Sequence, residues 1–363
     1  MGQRKLLFSI VLLLLSLKSW AGDSLATHQN LWGKLYTVVK RFSQIDTAYI
    51  EPQRYNYALM LQNTNTYEMY RISNRLHQTV QLSPRMGWRV GPYFGWRWIF
   101  LGYTIDVTHL KGDNKRKEFD LSLYSNQLGI DLFYRTTGDD YHIQRFTAAT
   151  ASNIDFAPLH GLNYDGLEAN IRGFNLYYIT NHKRFSYPAA YSQSTRQLQS
   201  TGSPILGIGY MHQKLNMDWV TLQDIIAQRM GKTVLKEVLG SDSAGWSKTH
   251  VKYDNFSVSG GYAYNWVFAK NFLLNVSLSA SLAYLHTISK TAQTPNSQFD
   301  NFNFNQFTID GIARMGLVYN TSRWFVGTSA IFHAYNYHEK TFSTNNIFGN
   351  VNVYVGFNFG RRK

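Results

Sequence analysis

Phe256-Ser257-Val258-Ser259-Gly260-Gly261-Tyr262-Ala263-Tyr264-Asn265-Trp266-Val267-Phe268, a break at Ala269-Lys270-Asn271, then Phe272-Leu273-Leu274-Asn275-Val276-Ser277-Leu278-Ser279-Ala280-Ser281-Leu282-Ala283-Tyr284 decide how this chain is read. Even positions are aromatic or aliphatic on both arms, and odd positions are mostly Ser, Asn, Gly and Ala. A period of two with a short break is a β-hairpin whose arms share their faces. The polar face carries Ser, Asn and Gly where a solvated sheet would carry Lys and Glu. Both arms exceed the roughly 9–11 residues that a tilted strand needs to cross a bilayer. The competing reading is a soluble sandwich or a lipocalin-like barrel with the apolar face turned inward.

Composition bears on that choice. Aromatic and charged residues each make up 16% of the 363 residues, whereas a soluble domain is nearer one quarter charged. A mean hydropathy of −0.30 suits a wall in which only alternate residues meet lipid. No run after the N-terminus is long and apolar enough for a transmembrane helix. At the N-terminus Arg4 and Lys5 precede the apolar run 6–17, and Ser19-Trp20-Ala21 supplies a cleavage site, so residues 1–21 read as a signal peptide. Cleavage would remove Arg4, Lys5 and Lys18 and take the net charge from +14 to +11. With no cysteine, disulfides and thiolate metal sites are excluded. The basic balance of an exported chain points to anionic lipid headgroups, polysaccharide or an acidic solute, and not to nucleic acid.

Along the chain, residues 22–52 form a periplasmic lead-in, with Leu31, Leu35, Val38, Val39 and Phe42 at helical spacing; a frayed export linker is the other reading. Residues 53–363 read as the barrel. Alternation begins weakly at Tyr55, leaves one or two uncertain strands over 66–84, and sharpens at Trp88–Trp96. It continues through 99–108, 119–125 and 129–136, then more weakly over 141–148. Residues 149–167 are loop-like. Strand 168–181 changes face around Gly173, as a bulge would cause. Residues 182–202 are a long polar stretch, and 203–214 is again a strand. The insertion 215–252 carries helical spacing broken at Gly231, with Thr221 and Asp224 resembling a capping box. Strands 307–319, 324–337 and 347–359 complete an antiparallel up-and-down β-barrel of about 12 strands, with 10 or 14 as alternatives.

In such a meander the short connections 269–271 and 320–323 fall at one end, and Trp266, Phe268, Phe272, Tyr319, Trp324, Phe357 and Phe359 gather there as an aromatic girdle. A soluble barrel gives no reason for aromatics to collect at one rim. The longer connections 215–252, 290–303 and 338–346 fall at the other end. Residues 182–202 then lie on the short-turn, periplasmic side, an unusual place for a long segment.

The chain resembles a family of bacterial outer-membrane proteins known as domain of unknown function 4421. The resemblance rests on Asp46-Thr47-Ala48-Tyr49-Ile50-Glu51-Pro52, on Phe119-Asp120-Leu121 through Tyr124, and on Arg184-Phe185-Ser186-Tyr187. It extends to Gln197 through Gly202-Ser203 and to Gly260-Gly261-Tyr262-Ala263-Tyr264-Asn265-Trp266. It implies a bacterial outer-membrane β-barrel and supplies no activity; the porin-like, Gram-negative reading is that of the chain's own pattern.

Catalytic chemistry finds little footing. Gly22-Asp23-Ser24-Leu25 spells a lipase nucleophile block, but it sits at the cleavage site, and the Asp139–His142 spacing falls mid-barrel. The eleven His residues are scattered without a metal-ligand spacing, so no metal or other cofactor is expected. His286 with a serine of the hairpin is the one barrel pair weighed for a hydrolase, and periodicity turns His286 toward lipid. The ionisable set assigned to the lumen is Arg89, Asp106, Asp120, Asp131, Arg135, Arg172, Asp310 and Arg314. These either pair and fill the interior or line a solute path. For Asp310 the expected partners are Arg89 or Arg135; for Arg314 they are Asp106 or Asp131. The functional reading is a narrow pore or an envelope scaffold, against a barrel enzyme acting on lipid. The expected partners are outer-membrane lipid and lipopolysaccharide, the barrel-assembly machinery and an envelope protein.

Overall fold

A computed structural model of the protein describes residues 44–74, 76–96, 99–102, 105–106, 117–138, 140–240, 248–287, 306–339 and 342–361. The export signal, the nucleophile-like tetrad at 22–25 and the helical spacing of 31–42 lie outside these residues. In order come β1 (Ile50–Pro52), β2 (Tyr55–Asn74), β3 (Gln78–Pro84), β4 (Trp88–Trp96), β5 (Ile99–Gly102) and β6 (Ile105–Asp106). Next are β7 (Lys117–Tyr124), β8 (Leu128–Thr136), β9 (Tyr141–Ala148), β10 (Leu167–Ile179), helix α1 (Pro188–Tyr191), β11 (Thr195–Gln197) and β12 (Thr201–Asp218). Helices α2 (Trp219–Met230) and α3 (Lys232–Leu239) precede β13 (Lys248–Ala269), β14 (Phe272–Thr287), β15 (Phe307–Asn320), β16 (Trp324–Glu339) and β17 (Phe342–Arg361).

Strand 5, then 4, 2, 17, 16, 15, 14, 13, 12, 10, 8 and 7 are neighbours in one antiparallel path, with β6 continuing β5 along β4. The twelve strands form the curled wall of an up-and-down barrel; β17 pairs along β2 from Phe342↔Asn74 to Arg361↔Tyr55, and among the described residues the edges of the wall are β5 and β7. The wall curls until side chains from strands far apart in the path touch. Asn175 of β10 donates to the Tyr335 hydroxyl of β16 at 3.2 Å. Asn346 of β17 donates to Gln213 of β12 at 3.1 Å.

The apolar face looks outward. Val258, Leu278 and Ile309 are 67%, 66% and 69% exposed, whereas Asn265, Asn275 and Ser277 on the opposite face are buried. A soluble barrel inverts this arrangement; lipid on the outside requires it. Trp266 to Phe268, Phe268 to Phe272 and Phe272 to Tyr319 stand at ring-centroid distances of 5.4, 5.5 and 4.8 Å. A second run links Trp324, Phe357, Phe359, Tyr57 and Phe94 at 5.2 to 5.9 Å. The ring belt at the short-turn end therefore extends onto β2 and β4, beyond the residues named from the hairpins. Outward rings recur at the other edge, where Phe174, Tyr210 and Phe256 stand 6.2 and 5.1 Å apart. Phe256 and Trp266 are ten residues apart on β13, which at about 3.3 Å per residue and a tilt near 40° spans about 25 Å across the membrane.

Above the upper rings the sense of alternation reverses, because the outer face there meets water and the inner face meets a cap. Leu167, Ala169, Ile171, Met211, Leu215, Met217, Val251, Tyr253 and Leu285 point inward and are buried. They pack under Trp219, Leu222, Ile226 and Val238 of the two helices, and beside Val80, Leu82, Ile143 and Phe146 of the β3–β9 ribbon. The weak strand at 141–148 thus leaves the wall and pairs with β3. The Gln78 side chain donates to the Val238 carbonyl at 2.6 Å, tying that ribbon to α3. Buried in the connection from β9 to β10, the Tyr164 hydroxyl donates to the Asp218 carbonyl at 2.6 Å. Burial, with the Asp218 charge nearby, holds that phenol above the ordinary tyrosine range.

This reversal corrects two expectations. No bulge occurs at Gly173; its register is continuous with both neighbours, and odd residues stay inward from Leu167 to Ile179. Only the polarity of the two faces changes with height. Gly173 is small because Phe133 crowds it: a Cβ there would lie 2.7 Å from that ring and 2.3 Å from the Tyr210 carbonyl oxygen. Arg172 therefore faces outward and not into the lumen. The insertion is shorter than 215–252, since β12 runs to Asp218 and β13 starts at Lys248. Its helical pair does break at Gly231, where φ is +95°. Thr221 and Asp224 do not cap it: the Asp218 side chain accepts from the Val220 N–H at 3.0 Å, one turn earlier than the capping box expected.

Candidate functional site in the barrel interior

Inward residues of β2, β4, β7, β8 and β15 carry interior charges, as a period of two requires, with Glu68 of β2 buried and accepting from the Tyr70 hydroxyl. Arg314 of β15 forms an ion pair with Asp131 of β8, and its guanidinium lies 4.7 Å over the Tyr177 ring. Ser122 donates to the other Asp131 oxygen at 2.7 Å. One step toward the long-loop end, Arg135 meets Asp120 at 2.7 Å and stacks 4.8 Å over Phe348. Arg89 of β4 meets Glu118 of β7 at 2.7 Å, and Thr66 of β2 donates to the same carboxylate at 3.0 Å. Glu118 was missed because Lys117-Glu118 reads as the edge of a basic loop.

Of the eight residues assigned to the lumen, Arg89, Asp120, Asp131, Arg135, Asp310 and Arg314 point inward, and Arg172 points outward. The Asp106 side chain lies outside the described residues, although its backbone pairs with Arg89. Asp310 does not pair with Arg89 or Arg135. It accepts from Asn255 Nδ2 and from the Asn336 backbone N–H, both at 2.9 Å. Both arginines have carboxylates at their own height on β7, so Asp310, which sits higher, is served by neutral amides.

From the short-turn end, residues 181–200 fold back into the barrel. Tyr187 shares a hydrogen bond of 2.6 Å with Ser277, and Tyr191 donates to Asn275 Oδ1 at 2.6 Å. Gln193 donates to the Tyr354 hydroxyl at 3.1 Å and accepts from Asn320 at 2.8 Å. Asn265 donates to the Ser186 carbonyl and to Gln197 Oε1, both at 2.9 Å. The small polar face of the hairpin is thus the seat of a plug. Tyr187 and Tyr191 also approach Tyr124 at ring-centroid distances of 6.1 and 5.3 Å, and Tyr187 approaches Tyr177 at 5.8 Å. Rings therefore run continuously from plug to Arg314. Residues 50–52, expected to end the lead-in, instead form β1 and pair with β11 from Ile50↔Gln197 to Pro52↔Thr195. Glu51 forms an ion pair with Arg196 at 2.6 Å.

The arrangement fills the interior around Arg314, whereas Asp120 and Arg89, nearer the β7 and β4 edges, stay partly exposed. Arg314, Asp131 and Tyr187 are 3%, 4% and 0% exposed, between a plug below and the helical cap above. On the outer face, His212 Nδ1 lies 2.7 Å from Asp254, which also accepts from Tyr210 at 2.8 Å. Among the described residues no serine hydroxyl bonds to His212, His286 faces outward, and no cluster of His, Asp and Glu could hold a metal ion.

No curated protein matches the chain. Among solved structures it is similar to the outer membrane protease OmpT from Escherichia coli, at 7% identity over 85% of this chain and 98% of that one, with a TM-score of 0.33. It is also similar to the translocator domain of the autotransporter NalP from Neisseria meningitidis, at 9% identity over 91% and 95%, TM-score 0.26. A third is the P. putida toluene transporter TodX, at 7% identity over 85% and 91%, TM-score 0.20. Likenesses this loose say nothing of role. The model of a family described as a domain of unknown function, DUF4421, matches residues 44–359, and the chain belongs to that family.

Proposed function

We propose that this is an outer-membrane barrel that is closed at rest and serves as a non-enzymatic envelope scaffold. The short-turn end, with its plug and β1, faces the periplasm, and the helical cap faces outward. The observation that carries this reading is the buried Arg314–Asp131 pair, sealed between plug and cap with tyrosine rings around it. A conducting path needs wet charges, whereas these are paired and dry. Planar-bilayer recording tests it. The wild-type barrel is expected to be silent, and Arg314→Ala to raise conductance. A wild type that already conducts, with Arg314→Ala altering only ion selectivity, would instead make the protein a pore.

A barrel enzyme acting on lipid is the second reading. His212, held by Asp254 at 2.7 Å on the outer face, is the residue that favours it. Loss of a lipid-hydrolysing activity in His212→Asn would support it; unaltered lipid after long incubation with the wild type would remove it.

A further inference from the structure

The outward residues of β8, β10, β12, β13 and β14 lie in register as cross-strand rows that climb around the barrel with the strand tilt. Ile130, Leu176, Ile208, Val258 and Leu282 make an apolar row. Leu132, Phe174, Tyr210, Phe256 and Tyr284 make the next, largely aromatic row. Directly above stand Tyr134, Arg172, His212, Asp254 and His286, and above these Asn170, Lys214 and Lys252.

The charges of this patch are poorly balanced. Asp254 is engaged by His212 and Tyr210. Among the described residues no carboxylate lies within ion-pair distance of Arg172 or Lys252. Lys214 reaches Glu168 only at 4.0 Å. Lys214 and Lys252 are direct cross-strand partners on one face, an arrangement that repels unless an anion sits between them. The cations also begin one row above the rings that mark the edge of the apolar belt, which is the height of a lipid phosphate.

We infer that Arg172, Lys214 and Lys252 seat the phosphate of a lipid headgroup in the facing leaflet, with its acyl chains lying along Leu176, Ile208 and Val258. Arg172 offers a planar fork to phosphate oxygens, and the two lysines offer point charges from the row above. The aromatic row between supplies flat surface for the glycerol or sugar. This inference rests on the barrel spanning a membrane, and not on whether its lumen conducts.

The test uses the refolded full barrel. Insertion into phosphatidylcholine vesicles is checked first by protection from protease; failure there would overturn the membrane placement itself. Binding of bis-phosphorylated lipid A to the detergent-solubilised barrel is then followed by native mass spectrometry. The wild type is expected to bind it about tenfold more tightly than the same lipid stripped of phosphate. The triple variant Arg172→Gln, Lys214→Gln, Lys252→Gln should lose that preference, and the single Lys252→Gln should lose part of it. Lys183→Gln with Arg184→Gln, at the other end of the barrel, should keep it. Equal binding of both lipids by the wild type, or an unchanged triple variant, would overturn the inference. So would inorganic phosphate alone raising the melting temperature as much as the lipid does, since the site would then be one for a soluble anion.

Discussion

Arg314 and Asp131 meet across the barrel from β15 and β8, and neither has water to fall back on. Arg314→Ala strands the Asp131 carboxylate and should cost about 3–5 kcal/mol of stability, read from urea unfolding in lipid vesicles. Arg314→Met with Asp131→Leu removes both charges and should recover most of that loss. A single variant as stable as wild type would mean that water reaches the site. Alternation showed that Arg314 must find a partner on another strand, since Asp310 shares its face at too long a stride to bond it, but it left Asp106 and Asp131 both open. The partner of Asp310 was not legible. The Asn255 side-chain amide and the Asn336 backbone N–H satisfy it, and the periodicity of a sequence shows neither a backbone donor nor which lumen-facing asparagine holds a carboxylate. Arg172 was misplaced for a related reason: polarity was equated with the inside, which fails above the belt, where the outside is wet.

The segment between β10 and β12 is the element whose seating is most directly testable. A Cβ built on Gly316 would lie 3.4 Å from the Ala190 Cβ, close to the spacing of about 3.8 Å that a disulfide adopts. The chain has no cysteine of its own, so Gly316→Cys with Ala190→Cys should cross-link the plug to β15 under mild oxidation. Free thiols persisting in the folded double variant would show that the plug sits elsewhere. The sequence located this stretch at the short-turn end but gave no sign that it turns inward, because its Tyr, Ser and Gln residues suit a solvated loop equally well. The helical insertion was more legible, having both apolar spacing and a glycine break. Its cap differs by three residues from the one expected at Thr221, since Asp218 ends a strand and begins a helix at once. Asp218→Ala should cost about 1 kcal/mol through the lost bond to the Val220 N–H, measured by thermal unfolding.

At the scale of the whole molecule, the outward belt sets the solvent that the barrel needs. Leu278 lies midway between Phe272 and Tyr284 on β14 and is 66% exposed. In water a lysine there would be neutral to stability. In a bilayer Leu278→Lys should cost about 2–4 kcal/mol, and the penalty should shrink for Phe272→Lys at the interface, with both read from refolding equilibria in vesicles. Equal, negligible costs at the two positions would return the chain to the soluble-barrel reading. The ladder between β2 and β17 carries a further implication. It joins residues 55–74 to 342–361, so this seam forms between the most distant parts of the wall. The plug, by contrast, hangs from the middle of the chain and ends up enclosed by that wall. Assembly therefore joins two contacts of different reach: the 181–200 segment folds back through the short-turn mouth onto strands beside it in sequence, whereas β17 must find β2 across nearly the whole length of the wall.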